Sequence, residues 1–113
     1  MEPARILVVD DEAAILRLLK EALTQWGYQV TGATSAAEAL QALRGDMFDA
    51  VITDIRMPDM NGLELLKEIK RHDESVEVVV MTGYPTIASA VEALKVGAFD
   101  YLSKPLQIGR AHV

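Results

Sequence analysis

The sequence predicts an α/β domain, a parallel sheet covered by helices on both faces. Three observations carry this expectation. Short, wholly apolar runs rich in β-branched residues alternate with longer segments whose apolar residues recur at helical spacing. The connections between them are short and carry turn residues. The length of 113 residues, with half of them apolar, suits one core and one domain spanning 1–113.

The elements follow in order. Ile6-Leu7-Val8-Val9 predicts a first strand buried on both faces, ended by Asp10-Asp11-Glu12. Ile15, Leu18, Leu19, Ala22, Leu23 and Trp26 then mark one face of a helix, with Trp26 packing at its end and Gly27 as its stop. Gln29–Thr31 is a shorter, more polar strand suited to a sheet edge. Ser35 with Glu38 forms a capping-box pattern for a second helix to about Leu43. Ala50–Thr53 is the third strand, followed at once by Asp54. Met57-Pro58-Asp59-Met60-Asn61-Gly62 is a loop, its methionines packing beside the strand end. Asn61 with Glu64 caps a third helix carrying Leu65, Leu66 and Ile69. Val76–Met81 is the fourth strand and runs into Thr82. Gly83-Tyr84-Pro85 breaks the pattern, and Thr86 caps a helix with Ile87, Val91 and Leu94 that Gly97 ends. Phe99–Leu102 is the fifth strand, followed by Lys104-Pro105.

Alternating strands and helices imply a doubly wound, five-stranded parallel sheet. The expected strand order is 2-1-3-4-5, the flavodoxin-like order. The tail Leu106–Val113 is short and contains Gly109, so the final helix is expected to be short or incomplete. That tail reads as cut short or foreign. Apolar surface near the first helix is then expected to pair with another molecule, as a homodimer or by exchanged segments.

Composition excludes several functions. Lys and Arg number 11 against 17 Asp and Glu, a net charge of −6, which disfavours direct binding of nucleic acid or an anionic membrane. The absence of cysteine excludes disulfides, thiol nucleophiles and thiolate metal sites, and fits a reducing compartment. Apolar runs such as Ile6–Val9 and Val78–Met81 are far too short to span a membrane. Met1-Glu2-Pro3-Ala4-Arg5 lacks the pattern of a signal peptide, so the expected location is the cytoplasm. His72 and His112 have no partner spacing for metal or catalysis and are expected to face solvent.

The informative feature is where the polar residues fall. Asp10-Asp11, Asp54, Thr82 and Lys104 follow the carboxyl ends of strands 1, 3, 4 and 5. In an open parallel sheet these ends share one edge, and ligands bind where the strand order reverses. Two carboxylates about 4 Å apart repel by about 4 kcal/mol at an effective dielectric of 20. A cluster of Asp10, Asp11 and Asp54 therefore takes up protons or binds a cation. All-oxygen ligation with room for water suits Mg²⁺ better than a seven-ligand Ca²⁺ cage. The Thr82 hydroxyl and the Lys104 ammonium add two further contacts for phosphoryl oxygens. One carboxylate is then free to act as a nucleophile and form an acyl phosphate.

At these residues the sequence resembles the receiver domain of bacterial two-component response regulators. The resemblance is carried by Ile6–Glu12, Asp54–Gly62, Met81–Tyr84 and Gly97–Pro105, and covers about residues 5–105. The receivers of enhancer-binding transcription activators are the most similar subclass. The resemblance implies that Asp54 accepts a phosphoryl group from a phosphohistidine on a sensor histidine kinase. It implies Mg²⁺ held directly by Asp11, with Asp10 ligating or acting through water, and by Asp54 and the backbone carbonyl of Arg56. Lys104 pairs with Asp54 and then with the phosphate, Thr82 moves to bond the phosphate, and Tyr101 swings inward behind it. The readout is expected on the fourth helix and fifth strand, for a downstream output domain or target protein outside this chain. Such a domain is a phosphoacceptor rather than a turnover enzyme. Two alternatives compete: a haloacid-dehalogenase-like phosphatase with Asp10 as nucleophile, and a degenerate receiver serving only as an interaction module.

Overall fold

The computed structural model describes residues 2–104. Its elements are β1 (Arg5–Val9), α1 (Ala13–Gln25), β2 (Gln29–Ala33), α2 (Ala36–Gly45), β3 (Ala50–Asp54), α3 (Gly62–His72), β4 (Glu77–Thr82), α4 (Ile87–Val96) and β5 (Asp100–Ser103). The five strands form one sheet in the order β2-β1-β3-β4-β5, and every pairing is parallel. This is the expected strand order, with β2 at an edge. The tail, with the short or incomplete final helix expected there, and His112 lie outside the described residues.

The period of two along β1 builds both layers of the core. Leu7 and Val9 face one way and join residues of α2 and α3, including Leu43, Leu65, Leu66 and Ile69. Ile6 and Val8 face the other way and meet Leu19 and Leu23 of α1, with Met81 of β4. Both faces of β1 are therefore dry, as its unbroken apolar run requires. Met57 and Met60 are half-buried and pack against the larger layer.

Local chemistry sets the element ends. Gly27 and Gly97, at φ +95° and +116°, follow α1 and α4 in a region that L side chains avoid. Ser35 accepts the Glu38 N–H at 3.1 Å, while the Glu38 carboxylate takes the Thr34 N–H at 2.7 Å, one residue earlier than a capping box places it. α2 is also capped from a distance, because Asp59 accepts the N–H groups of Ala36 and Ala37 at 3.1 and 3.0 Å.

The strand bounds shift from expectation by a residue or two: β1 starts at Arg5, β3 takes in Asp54, and β4 runs Glu77–Thr82. β2 continues to Ala33, because Gly32 and Ala33 still pair with Val8 and Val9. β5 begins at Asp100, and Phe99 is 68% exposed rather than part of the buried strand. Its N–H still reaches the Val78 carbonyl at 2.7 Å, so the backbone enters the sheet one residue before the side chains do. Trp26 is about half exposed at the end of α1, and His72 faces solvent.

Candidate functional site

The chain leaves β1 towards β2 and returns to β3 on the opposite side, so strand order reverses between β1 and β3. Val9 pairs with Thr53 in that gap. The next residues, Asp10 and Asp54, consequently stand side by side at the carboxyl edge. Asp10 is 0% and Asp54 5% exposed, and Thr82 at the end of β4 is also buried. Buried carboxylates of this kind need partners.

Lys104 supplies one. Its backbone N–H donates to the Thr82 carbonyl at 2.7 Å, which fixes the residue beyond the end of β5. Its ammonium then lies 2.7 Å from Asp10 Oδ2 and 2.9 Å from Asp54 Oδ2, with Glu12 Oε1 at 3.4 Å. Burial works against the Lys104 ammonium, but hydrogen bonding and charge from Asp10 and Asp54 outweigh it and raise its pKa. Burial likewise pushes the Asp10 carboxyl up, assisted by the Asp54 charge, against the opposing pull of Lys104 and the Glu12 N–H.

The remaining oxygens have local roles. Asp10 Oδ1 accepts the Glu12 N–H at 2.9 Å, which turns the chain into α1. Asp54 Oδ1 accepts the Arg56 N–H at 3.2 Å. Asp10 Oδ2 is fully buried and, its ion pair with Lys104 apart, accepts no well-formed hydrogen bond. Two buried carboxylates thus face one ammonium. Carboxylate oxygens of Asp10, Glu12 and Asp54 all lie within 4.8 Å of one another. An under-coordinated oxygen in an all-carboxylate set with excess negative charge fits a hard divalent cation such as Mg²⁺.

The structure brings Asp10, Asp54, Thr82 and Lys104 to one edge, as expected from the sequence. It gathers Glu12 with them, which sequence reasoning had treated only as the end of a strand. Asp11 is exposed and lies outside the close carboxylate group, lining a concavity with Ile55, Arg56 and Asn61. The Arg56 guanidinium sits 4.2 Å from the centre of the Tyr84 ring, a cation–π contact at the mouth of the site. Thr82 Oγ1 accepts the Tyr84 N–H at 3.0 Å. The Tyr101 hydroxyl lies against the start of α4, 2.5 Å from Ser89 Oγ, and accepts the Thr86 N–H at 3.3 Å.

Gly62, which the sequence marks only as part of a turn, makes a close backbone approach to the site. A Cβ there would lie 2.2 Å from the Asp54 carbonyl oxygen and 2.7 Å from Ile55 Cα. Its N–H donates to the Ile55 carbonyl at 2.7 Å. The first residue of α3 therefore presses directly on the backbone that presents Asp54.

Comparison with known proteins supplies the family. The response regulator receiver domain model matches residues 6–112, which includes the tail that looked atypical. The chain is 47% identical over 109 residues to the transcriptional regulatory protein ZraR of Klebsiella oxytoca, covering 96% of this chain and 25% of that protein. It therefore spans about a quarter of the length of such curated relatives. A CheY-like response regulator receiver domain protein from Methanospirillum hungatei JF-1 superimposes with a TM-score of 0.92 at 34% identity, covering 98% of this chain and 89% of that one. The beryllofluoride-activated NtrC4 receiver domain dimer gives a TM-score of 0.89 at 35% identity, covering 94% and 88%. Among the described residues no helix is long and apolar enough to cross a membrane.

Proposed function

The chain belongs to the response regulator receiver domain family, and from that premise we propose that it is a phosphorylation-activated switch with Asp54 as the acceptor. An Asp54 carboxylate oxygen attacks the phosphorus of a phosphohistidine on a sensor histidine kinase. The P–O bond forms as the P–N bond breaks, and the imidazole leaves. The observation that carries this reading is the Lys104 ammonium shared between Asp10 and Asp54 at a buried sheet edge. Family membership favours Asp54 over Asp10 as the acceptor, and with it the switch over the phosphatase.

Asp10, Asp11, Asp54 and the Arg56 carbonyl would hold Mg²⁺, with Glu12 close enough to join them. When bound, Mg²⁺ neutralises charge on the transferring phosphoryl oxygens. Lys104 does the same from the chain itself and screens the approach of a dianionic donor to two carboxylates. Thr82 contributes a hydroxyl whose oxygen accepts the Tyr84 N–H and whose proton is donated to a phosphoryl oxygen as the side chain moves.

The energetics suit a switch. A phosphoryl group carries about −1.5 to −2 charge near neutral pH, so phosphorylation adds about −1 at Asp54. Moving an equilibrium from 1:99 to 99:1 needs about 5.5 kcal/mol. A new hydrogen bond from Thr82 to a charged group contributes about 1.5–3 kcal/mol of that figure, and Lys104, already paired with Asp54, adds only the gain from the greater phosphoryl charge. Thr82 moves towards the phosphoryl group, and Tyr101 follows it inward. The affected surface is α4 with β5, where Ile87 is 85% exposed and Leu94 more than half exposed. That surface serves a downstream output domain or target protein of the cytoplasm, or a second copy of this chain. Direct contact with nucleic acid or membrane is not part of this function.

The test is intact mass after incubation with Mg²⁺ and acetyl phosphate. One added phosphoryl group is expected, lost in Asp54→Ala and without Mg²⁺. No gain in the wild type points to an interaction module. A gain that survives Asp54→Ala and requires Asp10 restores the phosphatase reading.

A further inference from the structure

We propose that Ser89 is the latch of this switch, its hydroxyl holding the Tyr101 phenol against the first turn of α4 and so favouring the unphosphorylated form. The inference rests on the receiver reading above and adds the residue that sets its poise. Tyr101 lies half-buried on β5. Its phenol oxygen is 2.5 Å from Ser89 Oγ and accepts the Thr86 N–H at 3.3 Å. Thr86 is the N-cap of α4, and its Oγ1 accepts the Ser89 N–H at 3.1 Å. The Thr86 and Ser89 hydroxyls are 2.9 Å apart, and Ser89 Oγ lies 3.2 Å from the Thr86 carbonyl oxygen.

Counting protons assigns the network. The phenol oxygen accepts the Thr86 N–H, and because the Ser89 proton goes to the Thr86 carbonyl, the phenol is the donor in its contact with Ser89 Oγ. Thr86 Oγ1 takes the Ser89 N–H and gives its proton to Ser89 Oγ as well. Ser89 Oγ then donates to the Thr86 carbonyl. A hydroxyl has one proton and two lone pairs, so Ser89 is saturated and receives the phenol proton. When Tyr101 leaves, the Ser89 and Thr86 contacts to its hydroxyl are both lost.

The latch is also linked to Thr82 through the backbone. The Tyr84 N–H donates to Thr82 Oγ1, and two residues later the Thr86 N–H donates to Tyr101. One short segment thus clamps both switch hydroxyls. Withdrawing Thr82 towards Asp54 frees the Tyr84 end of that segment and loosens the Thr86 end.

The variant Ser89→Ala removes the hydroxyl but keeps the backbone N–H that Thr86 caps, and alanine favours helix. Ser89→Thr restores a hydroxyl. Two readouts apply: the Tyr101 ring resonances without phosphodonor, and half-saturation by beryllofluoride with Mg²⁺. Ser89→Ala is expected to shift the Tyr101 ring signals and lower the half-saturating concentration about two- to tenfold, the span of one neutral hydrogen bond. Ser89→Thr should behave as wild type. Tyr101→Phe should lower half-saturation to the same extent, and the double variant should lower it no further. Unchanged ring signals and unchanged half-saturation in Ser89→Ala overturn the latch. A wild type that binds no beryllofluoride overturns the receiver reading instead, and the ring signals alone then decide whether Ser89 holds Tyr101.

Discussion

Gly62 and Asp54 are in backbone contact: a Cβ at Gly62 would stand 2.2 Å from the Asp54 carbonyl oxygen. That oxygen belongs to the backbone of the strand end presenting the Asp54 carboxylate and cannot yield as a flexible side chain would. Gly62→Ala is therefore expected to destabilise the domain by about 1–3 kcal/mol, the usual range for overpacking. It should also slow phosphoryl uptake from acetyl phosphate, because the carboxylate moves with its backbone. Gly45→Ala is the control, since a Cβ there meets nothing within 4 Å. Urea unfolding and time-resolved intact mass on both variants check this, and equal behaviour would remove Gly62 from the site.

Burial of the Asp10 carboxylate works against the stability of the fold. Two buried carboxylates share one ammonium, and burial raises the Asp10 pKa. Raising an acid's folded pKa means that folding disfavours its charged form, so this group destabilises the fold above that pKa and the penalty fades as pH falls through it. Asp10→Asn leaves Lys104 paired with Asp54. Without Mg²⁺ it should raise stability by about 1 kcal/mol, or roughly 4 °C in Tm at this size. Mg²⁺ should then no longer stabilise the protein. Thermal scans with and without Mg²⁺ test both halves, and an Mg²⁺-dependent rise in Tm retained by Asp10→Asn would exclude Asp10 from the cation site.

Asp59 links the loop after Asp54 to the start of α2. Hydrogen bonds from the Ala37 and Ala36 N–H groups hold its carboxyl below the usual range. A depressed folded pKa gives stability that is complete above the unfolded value, about 3.9 for aspartate, and is lost as pH falls through the folded value. The Tm difference between wild type and Asp59→Asn should be constant above about pH 5 and shrink below pH 4. A difference that stays constant to pH 2.5 would mean that the carboxylate charge at Asp59 does not stabilise α2.

These residues also mark what the sequence made legible. The unbroken apolar run of β1 marks it as an interior strand, and polar residues at the ends of the strand patterns locate Asp10, Asp54, Thr82 and Lys104. What it hid were contacts whose partners lie far apart in the chain. Asp59 reads as a turn residue because its partners, Ala36 and Ala37, precede it by more than twenty positions. Glu12 joins the carboxylates only because the turn after Asp10 brings it back towards Lys104, which lies 92 residues on. Asp11 looked equivalent to Asp10, yet the same turn leaves it exposed. Ser89 carried no signal, since its role depends on Tyr101 across the β5–α4 contact.

The exposed face of α4 gives the last prediction. Ile87, Val91 and Leu94 recur at helical spacing, and all three are exposed, with Tyr84 and Phe99 exposed beside the same helix ends. An apolar stripe of this kind in water calls for a partner. The NtrC4 receiver in its beryllofluoride-activated form is a dimer. A symmetric dimer repeats the same patch on both chains, so one substitution acts twice. Beryllofluoride with Mg²⁺ is expected to shift this chain from monomer towards dimer in sedimentation velocity. Ile87→Asp should weaken the activated dimer by at least about thirtyfold, the loss typical of a central apolar anchor. Beryllofluoride binding to the monomer should be unchanged, because Ile87 touches neither Asp54 nor Lys104. A dimer that survives Ile87→Asp would place the interface elsewhere, and a sedimentation coefficient indifferent to beryllofluoride would separate dimerisation from the switch.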